Sequence, residues 1–385
     1  MRLLFVADGR SPTAINWIRP WIERGDEVYL ASTYPCTPIP SLAGLIVLPL
    51  AFNSPAGRIP GARGRSWRSG NLGLRTALRA WVGPLMLRQA GRVLDGLLEQ
   101  LRPDLVHTLR IPFEGMLVSR SHLAVPLIVS VWGNDFTLHA SSSPLMAHLT
   151  RRTVTRADAL LADCQRDIRL AETWGFRPEC PKLVVPGNGG VCLDLFFPPA
   201  TPVGQPVILN PRGFRAYIRN DTFFRAIPLV LAGCRAARFI CPGMAGEAGA
   251  WDWIRRLGVA ESVELLPALP YDEMPALYRS TQVLVSPSVH DGTPNSLLEG
   301  MACGCFPVAG DLESIREWIT PDRNGLLIDA ADPAGLAEAI LRGINEPALR
   351  SQAAQINAAL VAERAGTSRT MLRVEELLKG LLSGC

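Results

Sequence analysis

The sequence predicts an α/β protein built as two doubly wound parallel-sheet domains, and three observations carry the prediction. The first is length: 385 residues exceed what one hydrophobic core comfortably serves and divide into two domains of about 150 to 200 residues. The second is composition, 48% apolar and 19% charged, the balance of a globular α/β enzyme. The third is pattern. Short β-branched runs alternate with stretches of helical periodicity on both sides of a Pro-rich segment, Phe196-Phe197-Pro198-Pro199 to Gln205-Pro206, which reads as the interdomain linker.

In the first half, Leu3 to Ala7 reads as a strand and Asp8-Gly9-Arg10-Ser11-Pro12 as the loop after it. A helix from Ala14 to Glu23 follows, with Ile15, Ile18 and Ile22 on one face, a kink near Pro20 and an end at Gly25. Val28 to Ala31 is the second strand, which makes a βαβ opening. It contains no G-x-G-x-x-G, which argues against a nicotinamide-dependent enzyme. Ala77 to Gln100 is largely helical with a break at Gly83-Pro84. Pro103-Asp104-Leu105-Val106-His107 and Leu127 to Val131 are strands, the second running into Trp132-Gly133-Asn134-Asp135. Ala157 to Ala162 is another strand, and Leu183-Val184-Val185 leads to a turn at Asn188-Gly189.

The second half restarts with Val207-Ile208-Leu209-Asn210 and the polar segment Pro211-Arg212-Gly213-Phe214-Arg215. Arg238 to Cys241, Val263 to Leu266 and Val283-Leu284-Val285 are further strands, the last ending at Ser286-Pro287. Beyond it, Leu297, Leu298 and Met301 fall at helical spacing, with Thr293 as the expected N-cap and Pro294 as the first helical residue. Asp291 stands before this helix start and Glu299 in its second turn. The unpaired N–H groups of a helix start suit a phosphate or diphosphate, and carboxylates accept from sugar hydroxyls. A nucleotide-sugar would satisfy all three elements together. The plainer reading of the same residues is a surface loop with an ordinary cap and a solvated Glu299.

The stretch from Asp291 through seven residues to Glu299, then Met301-Ala302-Cys303-Gly304 and Phe306-Pro307-Val308, resembles the signature of the family 4 glycosyltransferases. Glu313-Ser314-Ile315-Arg316-Glu317 and Asn324-Gly325-Leu326-Leu327 resemble the family's closing segments, Pro103 to His107 its Pro-Asp-x-Val-His strand, and Trp132-Gly133-Asn134-Asp135 its Trp-Gly-x-Asp turn. The resemblance implies the GT-B fold, two Rossmann-like domains facing across a cleft. It implies an acceptor-binding domain over 1–200, a donor-binding domain over 201–366 and a closing helix, 367–385, packed back on the first domain. It further implies a retaining transferase moving a hexose-type sugar from a nucleoside-diphosphate-sugar to a hydroxyl, with no cofactor and no metal. Glu299 would hold the ribose hydroxyls and Asp291 the donor-sugar hydroxyls, with Gly292, Thr293, Pro294, Asn295 and Ser296 beside the diphosphate and Pro267 and Ala268 against the nucleobase. Arg212 matches the family's phosphate-binding Arg; Arg215 and Arg219 compete for the place of its Lys. Asp291, Glu299 and Arg212 are the residues expected to carry catalysis. On the acceptor side the candidates are Gly9, Arg10, Ser11, His107, Trp132 and Asp135. His107 also reads as an ordinary buried histidine at a strand end, and Arg212 as a strand-end surface residue. The chain departs from the family at Trp132, where many members carry a sugar-contacting His, and at Asp291, one methylene shorter than the usual Glu.

Charge narrows the partners. The net charge is +4 with only two lysines. No acidic residue occurs from Val28 to Leu94, while Arg58, Arg63, Arg65, Arg68, Arg75, Arg79, Arg88 and Arg92 accumulate among Trp67, Trp81 and several leucines. Such a segment suits an anionic membrane surface or is a solvated face, and no nucleic-acid motif accompanies it. No apolar run reaches the roughly 18 to 20 residues that span a bilayer. The start reads as a strand rather than a signal peptide, so the expected place is the cytoplasm, peripheral at the inner face of the membrane, acting on a cell-envelope glycan or lipid-linked sugar. Nine cysteines without paired spacing point to reduced, mostly buried thiols and no zinc site. The alternatives of another class are a GT-B nucleotide-sugar epimerase and a catalytically silent sugar-nucleotide binding protein.

Overall fold

The computed structural model of the chain describes residues 1–48, 87–122, 124–187, 189–201 and 203–383. It divides into two compact units, one of Met1–Asn188 with Arg373–Cys385 and one of Gly189–Leu372.

The first unit is built on seven parallel strands, β1 (Arg2–Ala7), β2 (Glu27–Ser32), β3 (Gly44–Val47), β4 (Leu105–Leu109), β5 (Leu127–Val131), β6 (Ala159–Ala162) and β7 (Lys182–Val184). Their order in the sheet is β3-β2-β1-β4-β5-β6-β7. The chain winds outward from β1 and then returns to its other side at β4, so the order reverses between β1 and β4. That is where open α/β sheets open a crevice at the carboxyl ends of their strands. β4, β5 and β6 are buried at every residue, as expected of parallel strands covered on both faces. This is why they read as unbroken apolar runs. The first helix, Pro12–Glu23, starts two residues before the periodicity suggests because Ser11 caps it, its Oγ accepting from the Ala14 N–H at 3.4 Å, with Pro12 in the first turn. The short, half-buried β3 has no counterpart in the sequence reading, since four residues at a sheet edge need no strong pattern.

Residues 49–86 lie outside the description, and with them Arg58, Arg63, Arg65, Arg68, Arg75, Arg79, Trp67, Trp81 and the break expected at Gly83-Pro84. The helix Leu87–Leu101 is described; its Arg92 is exposed, and the Arg88 side chain is outside the description.

The second unit holds six parallel strands in the order β10-β9-β8-β11-β12-β13, with β8 at Val207–Leu209, β9 at Arg238–Cys241, β10 at Val263–Leu265, β11 at Val283–Ser286, β12 at Phe306–Gly310 and β13 at Leu326–Ile328. Its order reverses between β8 and β11. One face of the sheet is covered by Phe223, Phe224, Ile227 and Ile340. The other is covered by Leu297, Leu298 and Met301 of the helix Asn295–Ala302 together with Tyr278. Gly300 permits this approach: a Cβ there would lie 2.6 Å from Leu284 Cδ2. Val191 and Phe196 are buried in the same core, and the Val191 N–H donates to the Ala365 carbonyl at 2.7 Å. Residues 189–200, placed by the sequence at the end of the first domain, therefore fall in the second unit. The closing helix Thr367–Ser383 is shared, its residues from Arg373 onward belonging to the first unit, where Glu375 meets Arg24 at 3.0 Å.

Candidate functional site

The strand order of the second unit brings two loops together that are far apart in sequence. Arg212, two residues past Asn210 at the end of β8, reaches the loop after β11: its Nη2 donates to Asp291 Oδ2 at 2.5 Å and its Nη1 to Ser296 Oγ at 3.2 Å. Ser296 lies in the first turn of the helix Asn295–Ala302, so the guanidinium sits at that helix start. Arg212 is only 8% exposed, and its Nε–H, like Asn210 Nδ2 and the hydroxyls of Ser286 and Ser288, is buried with no partner among the described residues. Buried donors are normally satisfied. Such a group of them at a carboxyl-end switch point makes this the candidate site for a polar ligand. The loop itself is tied down. Ser314 Oγ donates to the Asp291 carbonyl at 2.8 Å, Trp318 Nε1 donates to Thr293 Oγ1 at 3.1 Å, and a Cβ on Gly310 would come within 2.3 Å of the Ser288 carbonyl.

Two expectations change here. Thr293 is not the N-cap: Pro294, with ψ of 122°, occupies that place and the helix begins at Asn295. Thr293 Oγ1 instead accepts from Trp318 Nε1, and Pro294 at the N-cap has no side chain that can cap the helix. Arg215 and Arg219, offered for the family's Lys, do not join Arg212: Arg215 donates to the Tyr217 hydroxyl at 2.8 Å and Arg219 pairs with Asp221 at 2.8 Å. Their segment is nevertheless stitched to the signature loop, through Arg219 N–H to the Pro287 carbonyl (2.9 Å) and Val289 N–H to the Tyr217 carbonyl (3.0 Å).

Glu299, one turn further along the helix, is 8% exposed and accepts from the Tyr278 hydroxyl at 3.1 Å. Burial pushes its carboxyl up to about 7, against the pull of the Tyr278 hydrogen bond and the Arg212 charge. Glu299 is thus a buried, singly hydrogen-bonded carboxyl rather than a solvated surface residue. Gly292 and Pro294 are buried within the loop, while Asn295 is half-buried. Pro267 and Ala268 are exposed after β10; the Pro267 carbonyl accepts from the Gly243 N–H at 3.1 Å, and no backbone bond engages Ala268 among the described residues.

The first unit treats its candidates differently. Asp135 is 1% exposed, and every bond it makes is internal: Oδ1 accepts from Arg110 Nη2 at 2.9 Å and Nε at 3.2 Å, and Oδ2 from the N–H groups of Ile111 at 3.0 Å and Trp132 at 3.2 Å. His107 is buried as well, accepting at Nδ1 from Trp17 Nε1 (3.4 Å) and facing Ser130 Oγ at Nε2 (2.8 Å). That pattern is the neutral Nε2–H tautomer, and burial holds its pKa down at about 3. Both are packing and pinning groups, with His107 a satisfied core residue. Ser11 is the helix cap, and Arg10 forks onto Asp8 at 2.9 and 3.0 Å while lying over the Tyr34 ring. Gly9 is required by crowding, since a Cβ there would lie 2.4 Å from Cys36 Sγ. Trp132 remains half-buried, with the Arg110 guanidinium 5.8 Å from its ring centre.

Two family profiles match the chain, one described as "Glycosyl transferase 4-like domain" over residues 12–189 and one as "Glycosyl transferases group 1" over residues 205–346. The chain is a group 1, family 4 glycosyltransferase. A relative from Streptosporangium roseum, named D-inositol 3-phosphate glycosyltransferase, is 26% identical over 191 residues, which are 49% of this chain and 42% of the relative. The match thus spans less than half of that protein's length. Among solved structures, the sucrose-phosphate synthase of Thermosynechococcus elongatus superposes with a TM-score of 0.75 at 14% identity, covering 100% of both chains. Anabaena HepE in complex with UDP-glucose superposes at 0.71 and 16% identity, covering 99% of this chain and 100% of that one. These likenesses establish the GT-B fold.

In this glycosyltransferase the sequence reading missed several residues that hold the candidate positions in place. Tyr278 carries no motif around it. Arg110, with φ of 118°, and Phe113, with φ of 68°, sit in a strained π-helical turn over Ile111–Gly115 at the end of β4. Arg166 and Asp163 hold the two ends of the Gly133 residue, Arg166 Nη2 donating to its carbonyl at 2.8 Å and Asp163 Oδ2 accepting from its N–H at 2.9 Å. Arg110 and Asp163 could have been sought by strand-end position; Tyr278 and Arg166, inside helices, carried no such signal.

Proposed function

We propose that this glycosyltransferase moves a hexose-type sugar from a nucleoside-diphosphate donor to a hydroxyl acceptor with retention of configuration. One arrangement supports the reading above all: Arg212 is held by Asp291 and Ser296 at the start of the helix Asn295–Ala302, whose N-cap is a proline, with Glu299 buried in its second turn. A guanidinium beside helix-start N–H groups stabilises a diphosphate, and does so most as charge develops on it when the sugar departs. In this reading Asp291 both orients Arg212 and meets the donor-sugar hydroxyls, while Glu299 takes the ribose hydroxyls. Pro267 and Ala268 then border the nucleobase. Neither a cofactor nor a metal enters the reading, and no side chain is assigned as catalytic base.

For the acceptor we favour a cell-envelope glycan or lipid-linked sugar presented at an anionic membrane surface, with the Arg58 to Arg92 segment as the contact. No helix of the described residues is long and apolar enough to cross a membrane. Sedimentation with anionic liposomes tests the contact: Arg75, Arg79 and Arg88 changed together to Glu should release the protein, and unchanged sedimentation would remove the membrane from the account.

The donor assignment is tested by thermal stabilisation with UDP-, GDP- and ADP-sugars. At about 100 times its dissociation constant the right donor should add about 2.7 kcal/mol, and Glu299→Ala should lose that response. A panel that stabilises neither protein would sink the donor reading. Retention is read separately, from the anomer first formed when the bound donor is hydrolysed, observed by NMR.

A further inference from the structure

Tyr278 belongs to no part of the signature, yet its hydroxyl is aimed at the signature's second carboxylate. It lies in the helix Met274–Arg279 with no exposure, 21 residues before Glu299 in sequence. The ring is held from several sides. Phe196 packs against it with ring centres 6.0 Å apart, and a Cβ on Gly300 would come within 3.4 Å of its Cδ1, so the glycine after Glu299 sets the distance between the two helices. The backbone is held too, the Tyr278 carbonyl accepting from Cys305 Sγ at 3.1 Å. A phenol fixed this way, with its hydroxyl 3.1 Å from Glu299 Oε2, determines which rotamer the carboxylate adopts. Glu299 Oε1 has no partner among the described residues.

We propose that Tyr278 is a positioning residue for donor binding, holding Oε2 of Glu299 so that Oε1 is presented to the hydroxyls of the donor's ribose. The proposal rests on the reading of Glu299 as a hydroxyl acceptor. A tyrosine that only fills the core would have no bearing on how Glu299 titrates. One that donates to the carboxylate stabilises its charged form and opposes the burial that pushes the carboxyl up to about 7. The other groups that bear on Glu299 do not change charge over the relevant range. Arg212, from the loop after β8, is a guanidinium and always a cation; the thiol of Cys303, pushed up to about 12 by burial, and that of Cys305 just before β12, which burial also pushes well up, stay neutral. Donor affinity should therefore weaken as pH falls below about 7. Removing the Tyr278 hydroxyl should move that midpoint upward.

The test is calorimetric titration of the full chain with UDP-glucose, GDP-mannose and ADP-glucose between pH 5.5 and 8.5. These diesters of diphosphate do not themselves titrate there. Tyr278→Phe keeps the ring and its packing; it should weaken the best of the three by about tenfold at pH 7 and shift the pH midpoint upward. In the background of Glu299→Gln it should shift nothing further. A Tyr278→Phe protein whose affinity and midpoint equal those of the unaltered chain overturns the proposal and leaves Tyr278 as packing. A Glu299→Gln protein that binds like the unaltered chain overturns instead the reading of Glu299, and the positioning role with it. Folding of each variant is checked by its unfolding midpoint, and the pH midpoint of the folded fraction is independent of any loss there.

Discussion

The two units share one architecture and treat the candidate residues at their strand ends differently. In each, a parallel sheet reverses its order at a central pair, β1 and β4 or β8 and β11, and polar residues collect where those strands end. In the first unit the two candidate residues are engaged internally: Asp135 accepts four bonds from its own chain, and His107 has both ring nitrogens engaged. In the second unit, Arg212 keeps a buried Nε without a partner and Glu299 receives a single hydrogen bond. An aspartate after a strand looks the same in sequence whether it holds a loop or a ligand. What separates the two cases is how much of its bonding capacity the fold has already used.

That contrast breaks most sharply at Asp135. Asp135→Ala removes the partner of Arg110 and leaves two buried N–H groups unpaired, so it should lower stability by about 4 kcal/mol, read as a shift in the urea midpoint. A variant of unaltered stability would mean that the first unit is no more saturated than the second.

Glu299 should behave in the opposite sense. Its carboxyl titrates near 7 in the folded chain against about 4.3 when unfolded. Between those values the folded state binds more protons than the unfolded one, so stability falls as pH rises through that window and levels off above it. The loss amounts to at most about 4 kcal/mol. Glu299→Gln, which can still accept from Tyr278, should flatten this dependence and be the more stable protein at pH 8 while binding donor poorly. Equal slopes for the two proteins between pH 5 and 8 would contradict the assignment. Stabilisation on losing a side chain is the mark of a group kept for function.

Arg212→Ala should weaken donor binding by about 100-fold, with Arg212→Lys only partly restoring it because an ammonium makes a point contact where the guanidinium forks. The smallest effect is expected at Arg10, whose side chain is 54% exposed beside Asp8. Arg10→Ala should change stability by no more than about 0.5 kcal/mol and leave donor affinity alone, both measurable in the same titrations.

Much of the fold was legible because burial on both faces writes a parallel strand as an unbroken apolar run. Leu127–Val131 and Val283–Ser286 stand where the runs place them. The edge strand Gly44–Val47 was not, because half-burial at an edge imposes no pattern. The change of domain was displaced because Pro198-Pro199 looks like a linker, whereas Phe196 just before it is a core residue. At the site, Asp291 and Glu299 could be read from spacing and from the family signature, and Arg212 from its place after a strand. The bond between Arg212 and Asp291 could not, since it joins residues 79 apart through a strand order that local pattern does not encode. Tyr278 is hidden for the same reason. His107 shows the converse: a motif residue whose surroundings, Trp17 and Ser130, make it part of the core.

The measurement that tests the central claim most directly is hydrogen exchange along the whole chain with and without the stabilising nucleotide-sugar. The account predicts that protection concentrates in peptides covering 210–219 and 286–299, and that Arg212→Ala abolishes it there. Protection confined to peptides covering 107–135, with none across 286–299, would contradict the account and move the donor to the first unit.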